Sequence, residues 1–188
     1  MKKIRLILGY LLIVIGISIN IYNLYKEKDK RIIEKNKIAY TLEKEVSYRK
    51  IDNTYDAVLS IPKIDLKKGV YSINDKRNNI EENIMIHKDS IYPDSNNSNV
   101  ILIAHSGTGP KAIFKELNKL DKDSLIEFYY KHTKYVYKIN DIYSVNKNGS
   151  IGLRNDINKK TITLITCNSL DKSKQDVYIG YLIDEIKY

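Results

Sequence analysis

Three textures of hydrophobic and polar positions succeed one another along the chain. Residues 6–22 are almost continuously apolar, interrupted by Gly9, Gly16, Ser18 and Asn20, with Tyr10 and Tyr22 near the two ends. At ~1.5 Å of helical rise per residue, such a run just reaches across a bilayer core that takes about 17–25 residues. A single transmembrane helix with an aromatic belt is therefore expected. Lys2, Lys3 and Arg5 ahead of it would also serve a cleavable signal peptide, but no A-x-A-like cleavage site follows the apolar run, so retention as an anchor is favoured. Residues 27–45 then turn charged, without Gly or Pro, and carry Ile32, Ile33 and Leu42 among their apolar positions. That composition suits a helical stalk, with a solvated linker as the alternative.

From Tyr55 the pattern shortens to alternating or apolar runs between turn residues. Residues 56–61, 69–73, 100–104, 125–130, 135–145, 162–166 and 177–183 read as short strands of a mostly β domain. Pro62 marks the end of the first, because it cannot donate to a ladder. Two polar clusters, residues 94–99 and 146–150, are loops. Ile113, Phe114, Leu117 and Leu120 fall on one stripe just after Pro110, which predicts a short helix over residues 112–120. A second helical turn is expected within residues 74–89. The organisation is then residues 1–25 as anchor, 26–54 as stalk and 55–188 as one β domain, and a chain of 188 residues leaves no room for another.

The chain carries 32 Lys and Arg against 23 Asp and Glu, a formal net charge of +9 to which Lys2, Lys3 and Arg5 contribute three. A basic balance suits anionic lipid or an anionic wall polymer as well as nucleic acid. No finger spacing, RNP-like aromatic pair or basic helix with aromatic interleaving accompanies it, so no nucleic-acid partner is expected. Positive residues ahead of the apolar run favour a cytoplasmic N-terminus, a bias that Lys26, Lys28, Lys30 and Arg31 beyond it weaken. The acidic residues form no D-x-D-x-D-G pattern, and neither a metal site nor a cofactor is expected. Sixteen Tyr against two Phe and no Trp suit a barrel core or a peptide groove without singling out any one of them.

Candidate chemistry sits where two strands end. Cys167, the only cysteine, closes Thr163-Leu164-Ile165-Thr166-Cys167; His105 closes the run through Ile103 and Ala104 and is followed by the breaker-rich Ser106-Gly107-Thr108-Gly109-Pro110. One cysteine rules out an intramolecular disulfide and a multi-thiolate metal site. A lone cysteine is more often a small inert hydrophobe, and it is the strand end together with the histidine that turns the reading toward chemistry. A thiol with a reference pKa of about 8.5 needs a nearby cation or a positioned base to become a good nucleophile, and histidine supplies either. Of the other two histidines, His132 lies in a charged turn and reads as a solvated surface residue, while His87 follows Ile84-Met85-Ile86 and stays in reserve.

Residues 163–167 match the TLxTC motif of the sortases, and Ala104-His105 matches that family's strand-end histidine. With the N-terminal apolar run, the chain resembles these membrane-anchored cysteine transpeptidases of Gram-positive surfaces from roughly residue 57 to its C-terminus. The resemblance implies a closed antiparallel β-barrel with one or two short helices, Cys167 as nucleophile, His105 as general acid and then base, and Thr166 and Ala104 beside the substrate. It implies cleavage of an LPxTG-like C-terminal sorting signal, a thioacyl intermediate on Cys167, and transfer to an amine of a cell-wall peptide or a pilin lysine. The protein would be a single-pass membrane protein with its catalytic domain outside the cell. Where sortases carry an arginine early on the strand after the cysteine, Gln175 stands here, next to Lys174. An amide donates hydrogen bonds without charge, so it orients a carbonyl more weakly than a guanidinium, and strand alternation sends Lys174 to the other face. A catalytically impaired sortase-like binding or scaffold domain is the alternative. A caspase-like protease would need a Q-A-C-x-G setting, which is absent.

Overall fold

The computed structural model describes residues 2–43, 55–148, 153, 156 and 158–188, with the side chains of residues 2–11, 40, 42 and 43 outside the description. The chain divides into two compact units, Met1–Lys37 and Ile38–Tyr188. The first belongs to α1 (Lys2–Glu43). This helix has no Pro and absorbs its own polar interruptions: Ser18 Oγ donates to the Val14 carbonyl and Asn20 Nδ2 to the Gly16 carbonyl, both at 2.9 Å. The membrane span expected over residues 6–22 is not supported, since among the described residues no helix is long and apolar enough to cross a membrane. The helix continues through residue 25, where the expected anchor gives way to the expected stalk. The division expected at residue 55 borders residues 44–54, which lie outside the described residues.

In the second unit eight strands form a nearly closed barrel: β1 (Ala57–Ile61), β2 (Leu66–Val70), β3 (Met85–Ile86), β4 (Asn99–Ile103), β5 (Leu125–Tyr130), β6 (Thr133–Asn146), β7 (Thr161–Cys167) and β8 (Lys174–Lys187). Their order is β2-β1-β5-β6-β8-β7-β4-β3. The expectation of a closed, antiparallel barrel is corrected in two respects. First, β4 and β7 run parallel, whereas the other pairs are antiparallel. Second, the ladder stops at β2 and β3, and side chains bridge the gap. Buried Asn83 donates from Nδ2 to the Gly69 carbonyl of β2 at 3.0 Å. Asn78 Oδ1 accepts the Ile86 N–H at 2.7 Å while its Nδ2 donates to the carbonyls of Ile86 (2.9 Å) and Ile73 (3.2 Å).

The α-helix expected over residues 112–120 is instead a run of turns ending in a 3₁₀ helix, Leu117–Lys119. Its apolar side chains still face the core, because the buried residues Phe114, Leu117 and Leu120 recur every third position, the period of a 3₁₀ turn. A second 3₁₀ helix, Pro62–Ile64, ends at Asp65 in the left-handed region. Residues 74–84 form turns without a helix.

Two layers of apolar packing cover the sheet around β7. Val100, Leu102, Ala104, Ile162, Leu164 and Tyr178 point into the barrel. On the opposite face Ile101, Ile165, Val177 and Ile179 pack together with Ile103, Tyr143, Val145 and Leu153. β6 serves both layers because its register shifts between Ile139 and Asp141: Ile139 and Ile142 pack inward, Tyr143 and Val145 outward. Burial on both faces explains why β7 reads as a nearly continuous apolar run.

Asn83→Ala would leave the Gly69 carbonyl and the Ile84 N–H, which Asn83 Oδ1 accepts at 2.9 Å, without their side-chain partner. Urea unfolding of the full chain should show a loss of about 1–3 kcal/mol; an unchanged midpoint would mean that the gap between β2 and β3 is held by other contacts.

Candidate active site

The parallel pair positions the two strand-end residues. β4 and β7 pair from Asn99↔Thr161 to Ile103↔Ile165, and the alignment continues past the ladder. The Ala104 N–H donates to the Ile165 carbonyl at 3.3 Å, and Thr166 Oγ1 donates to the Ala104 carbonyl at 2.8 Å. Ser106 Oγ donates to the Cys167 carbonyl at 2.6 Å. His105 is thereby set beside Cys167. Since Ala104 packs into the barrel, alternation places His105 on the face of Ile101 and Ile103, which is also the face of Ile165 and Cys167. The chain then turns away, fixed by the Phe114 N–H donating to the His105 carbonyl at 2.9 Å.

Cys167, a free and half-buried thiol, stands directly opposite Gln175 in the antiparallel β7–β8 pair. One step outward, the Asn168 N–H donates to the Lys174 carbonyl at 3.0 Å. Cys167 and Gln175 therefore form a non-hydrogen-bonded pair, in which side chains on one face approach most closely, with Cβ atoms about 4.5–5.5 Å apart. Lys174 falls on the other face, and its Nζ lies 3.2 Å from Asp171 Oδ2. The turn between the strands is stiffened by Asn168, whose Oδ1 accepts the N–H groups of Leu170 (2.9 Å) and Asp171 (2.7 Å). Its Nδ2 donates to Asp176 Oδ1 at 2.7 Å, an oxygen that also accepts from Ser144 Oγ at 2.6 Å.

The structure thus brings His105, Cys167 and Gln175 to one face at one end of the sheet. Thr166 and Ala104 lie beneath them, buried and hydrogen-bonded to each other. The other histidines stand apart. His132 occupies the β5–β6 turn in the left-handed region, at the end of the β6–β8 ladder away from Gln175, about 40 Å along the strand at ~3.3 Å per residue. The His87 N–H donates to the Ile101 carbonyl, four residues back from His105, and its ring meets Asp89 at 3.6 Å.

One neighbour of the site carried no signal in the sequence. Glu81 Oε1 lies 3.2 Å from His105 Nε2, and Glu81 Oε2 lies 3.5 Å from Lys111 Nζ. The hydrogen bond from His105, followed by the charge of that imidazole and the bond from Lys111, holds the Glu81 carboxyl below its ordinary range. Glu81 is one acidic residue in a polar segment without a motif, 24 positions from His105, so nothing in its spacing links the two.

A family model of the sortase domain matches residues 59–181. The chain belongs to the sortase family. Solved sortases share the fold at low identity. Sortase A from Corynebacterium diphtheriae is 23% identical with a TM-score of 0.62, over 72% of this chain and 63% of its own. A Clostridium perfringens Sortase D5 transpeptidase is 20% identical with a TM-score of 0.64, over 81% of this chain and 99% of its own. Streptococcus pneumoniae Sortase C is 16% identical with a TM-score of 0.62, over 88% of this chain and 100% of its own. The chain thus spans just under two thirds of the length of the Corynebacterium sortase A. No curated protein matches it in sequence.

The cross-strand pairing separates Gln175 from Lys174 experimentally. Gln175→Ala should slow acylation by peptide at or below the ~10²–10³-fold typical of a lost oxyanion donor, while Lys174→Ala should change it less than twofold. Gln175→Arg should retain or raise the rate. Stopped-flow or quenched mass spectrometry of the acyl-enzyme checks all three, and the opposite ranking of Gln175 and Lys174 would place the lysine on the reacting face.

Proposed function

We propose that the protein is a sortase-type cysteine transpeptidase acting on an LPxTG-like C-terminal sorting signal. The observation that carries this reading is the register: one parallel and one antiparallel pairing bring His105 and Gln175 to either side of Cys167. Cys167 Sγ attacks the scissile carbonyl carbon, Gln175 donates an amide N–H to the oxygen as it becomes an oxyanion, and His105 gives a proton to the departing amine as the C–N bond breaks. An acceptor amine then attacks the thioester, His105 takes its proton, and Cys167 leaves as thiolate. The acceptor is an amine of a cell-wall peptide or a pilin lysine. The buried apolar layer of Ile101, Ile165 and Val177 packs behind Cys167 and holds its strand in place. Thr166 and Ala104 serve the sorting-signal peptide from below by tying the two strand ends together.

The N-terminal part of α1 is read as a single-pass anchor with a cytoplasmic N-terminus, which leaves the barrel outside the cell. The side chains of Ser18 and Asn20 are satisfied within the helix, as a lipid environment requires. The alternative, a sortase-like scaffold without turnover, is favoured by one observation, the neutral Gln175 in the place of an arginine.

Incubating the full chain with LPxTG-like peptides and primary amines, and following adducts by mass spectrometry, decides between them. A thioacyl adduct should form on the parent and be absent from Cys167→Ala, and His105→Ala should turn over roughly 10²–10⁴-fold more slowly. His132→Ala should match the parent. A parent that forms no adduct, and whose Cys167 resists thiol probes while folded, would establish the scaffold.

A further inference from the structure

Glu81 reaches His105 across 24 positions through a side-chain contact of 3.2 Å. We infer that Glu81 is a positioning residue for His105, holding the imidazole through Nε2 so that Nδ1 is the nitrogen that exchanges protons at Cys167 and the substrate amine. This inference rests on the reading of Cys167 as nucleophile and His105 as acid and base.

The hydrogen-bond chemistry leaves one arrangement. An ionised carboxylate only accepts, so the proton in the 3.2 Å contact belongs to His105 Nε2. In the imidazolium the second proton is then on Nδ1. As the substrate C–N bond breaks, that Nδ1 proton passes to the leaving amine; when the acceptor amine attacks the thioester, Nδ1 takes a proton back. The Nε2 proton stays on His105, hydrogen-bonded to Glu81, throughout, and the count of protons on the ring returns to its starting value.

The loop is built to hold this carboxylate in place. The Glu81 N–H donates to Asn79 Oδ1 at 2.9 Å, and the Asn79 carbonyl accepts the N–H groups of Glu82 (3.1 Å) and Asn83 (2.9 Å). Asn78 and Asn83 pin the loop to Ile86 and Gly69 through the bonds that bridge the barrel gap. At its start Arg77 pairs with Asp75 at 2.7 Å and lies 4.4 Å above the Tyr71 ring. Lys111 orients the carboxylate from its second oxygen. A group held by so many backbone-directed bonds presents its partner in a fixed geometry, which is where rate is gained.

Exposure sets the size of the effect. The Glu81 side chain is 61% exposed and that of His105 35%, so water screens the pair, and its loss costs far less than the ~10⁴-fold seen when a buried orienting carboxylate is replaced.

The test uses the full chain with an LPxTG-like peptide and glycinamide. Glu81→Ala should lower kcat about tenfold with KM within twofold, and the imidazole ¹⁵N signals of His105 should move from the Nε2–H tautomer toward a mixture. Glu81→Gln, whose amide oxygen still accepts from Nε2, should recover much of the tautomer signal and part of kcat. Cys167→Ala measured alongside separates the two readings. If Cys167→Ala kept turning over, the underlying assignment of the nucleophile would fall. If Cys167→Ala were inactive while a folded Glu81→Ala matched or exceeded the parent in kcat with an unchanged tautomer, the positioning role alone would be overturned.

Discussion

Everything at the candidate site depends on the parallel pairing of β4 and β7. An antiparallel neighbour would bring the start of one strand against the end of the other, whereas a parallel one puts like ends together. β7 ends on Cys167 and His105 follows two residues after β4, and the bonds Thr166 to Ala104 and Ser106 to Cys167 carry the alignment beyond the ladder. A slip of one residue would reverse the faces of Ile165 and Cys167. The apolar packing on both sides of β7 prevents it, so the same burial that stabilises the sheet also sets the geometry of the reactive pair.

That coupling governed what could be read from the sequence. β7 and β4 were legible because burial on both faces left runs of aliphatic and β-branched residues, and Cys167 and His105, at or just past their ends, could be named from the pattern. β8 was legible in its centre, where Val177 to Ile179 are buried, although it extends from Lys174 to Lys187. β3 was not, because two residues, Met85 and Ile86, are too few to show a period. β2 was displaced toward the N-terminus, since Lys67 and Lys68 on an edge strand hide the alternation. The stripe of Ile113, Phe114, Leu117 and Leu120 gave the correct buried face but the wrong helix, because spacings of three satisfy both α and 3₁₀ windows over so short a span. The apolar run at the N-terminus matched a membrane helix in pattern, yet among the described residues no helix is long and apolar enough to cross a membrane.

The contacts that no pattern announced share a cause. Asn78, Asn83 and Glu81 all act through side-chain bonds to partners distant in sequence, in a segment with no regular secondary structure. Periodicity reports burial on a repeating surface and is silent about single polar contacts. Gln175 is the intermediate case. Its place early on the strand after the cysteine was expected from the resemblance, while its pairing directly opposite Cys167 emerges from the β7–β8 register.

The wide sequence separations behind the site also order its formation in time. Thr166 meets Ala104 across 62 positions, and Thr161 meets the Ser98 carbonyl across 63. Closing loops of that length costs conformational entropy before any contact repays it, and topologies rich in such pairings fold slowly. β8, which lies between β6 and β7 and supplies Gln175, is the final strand of the chain. A chain emerging from its N-terminus therefore presents His105 to the surroundings before a thiol exists beside it, and Cys167 gains Gln175 opposite it only after β8 has followed.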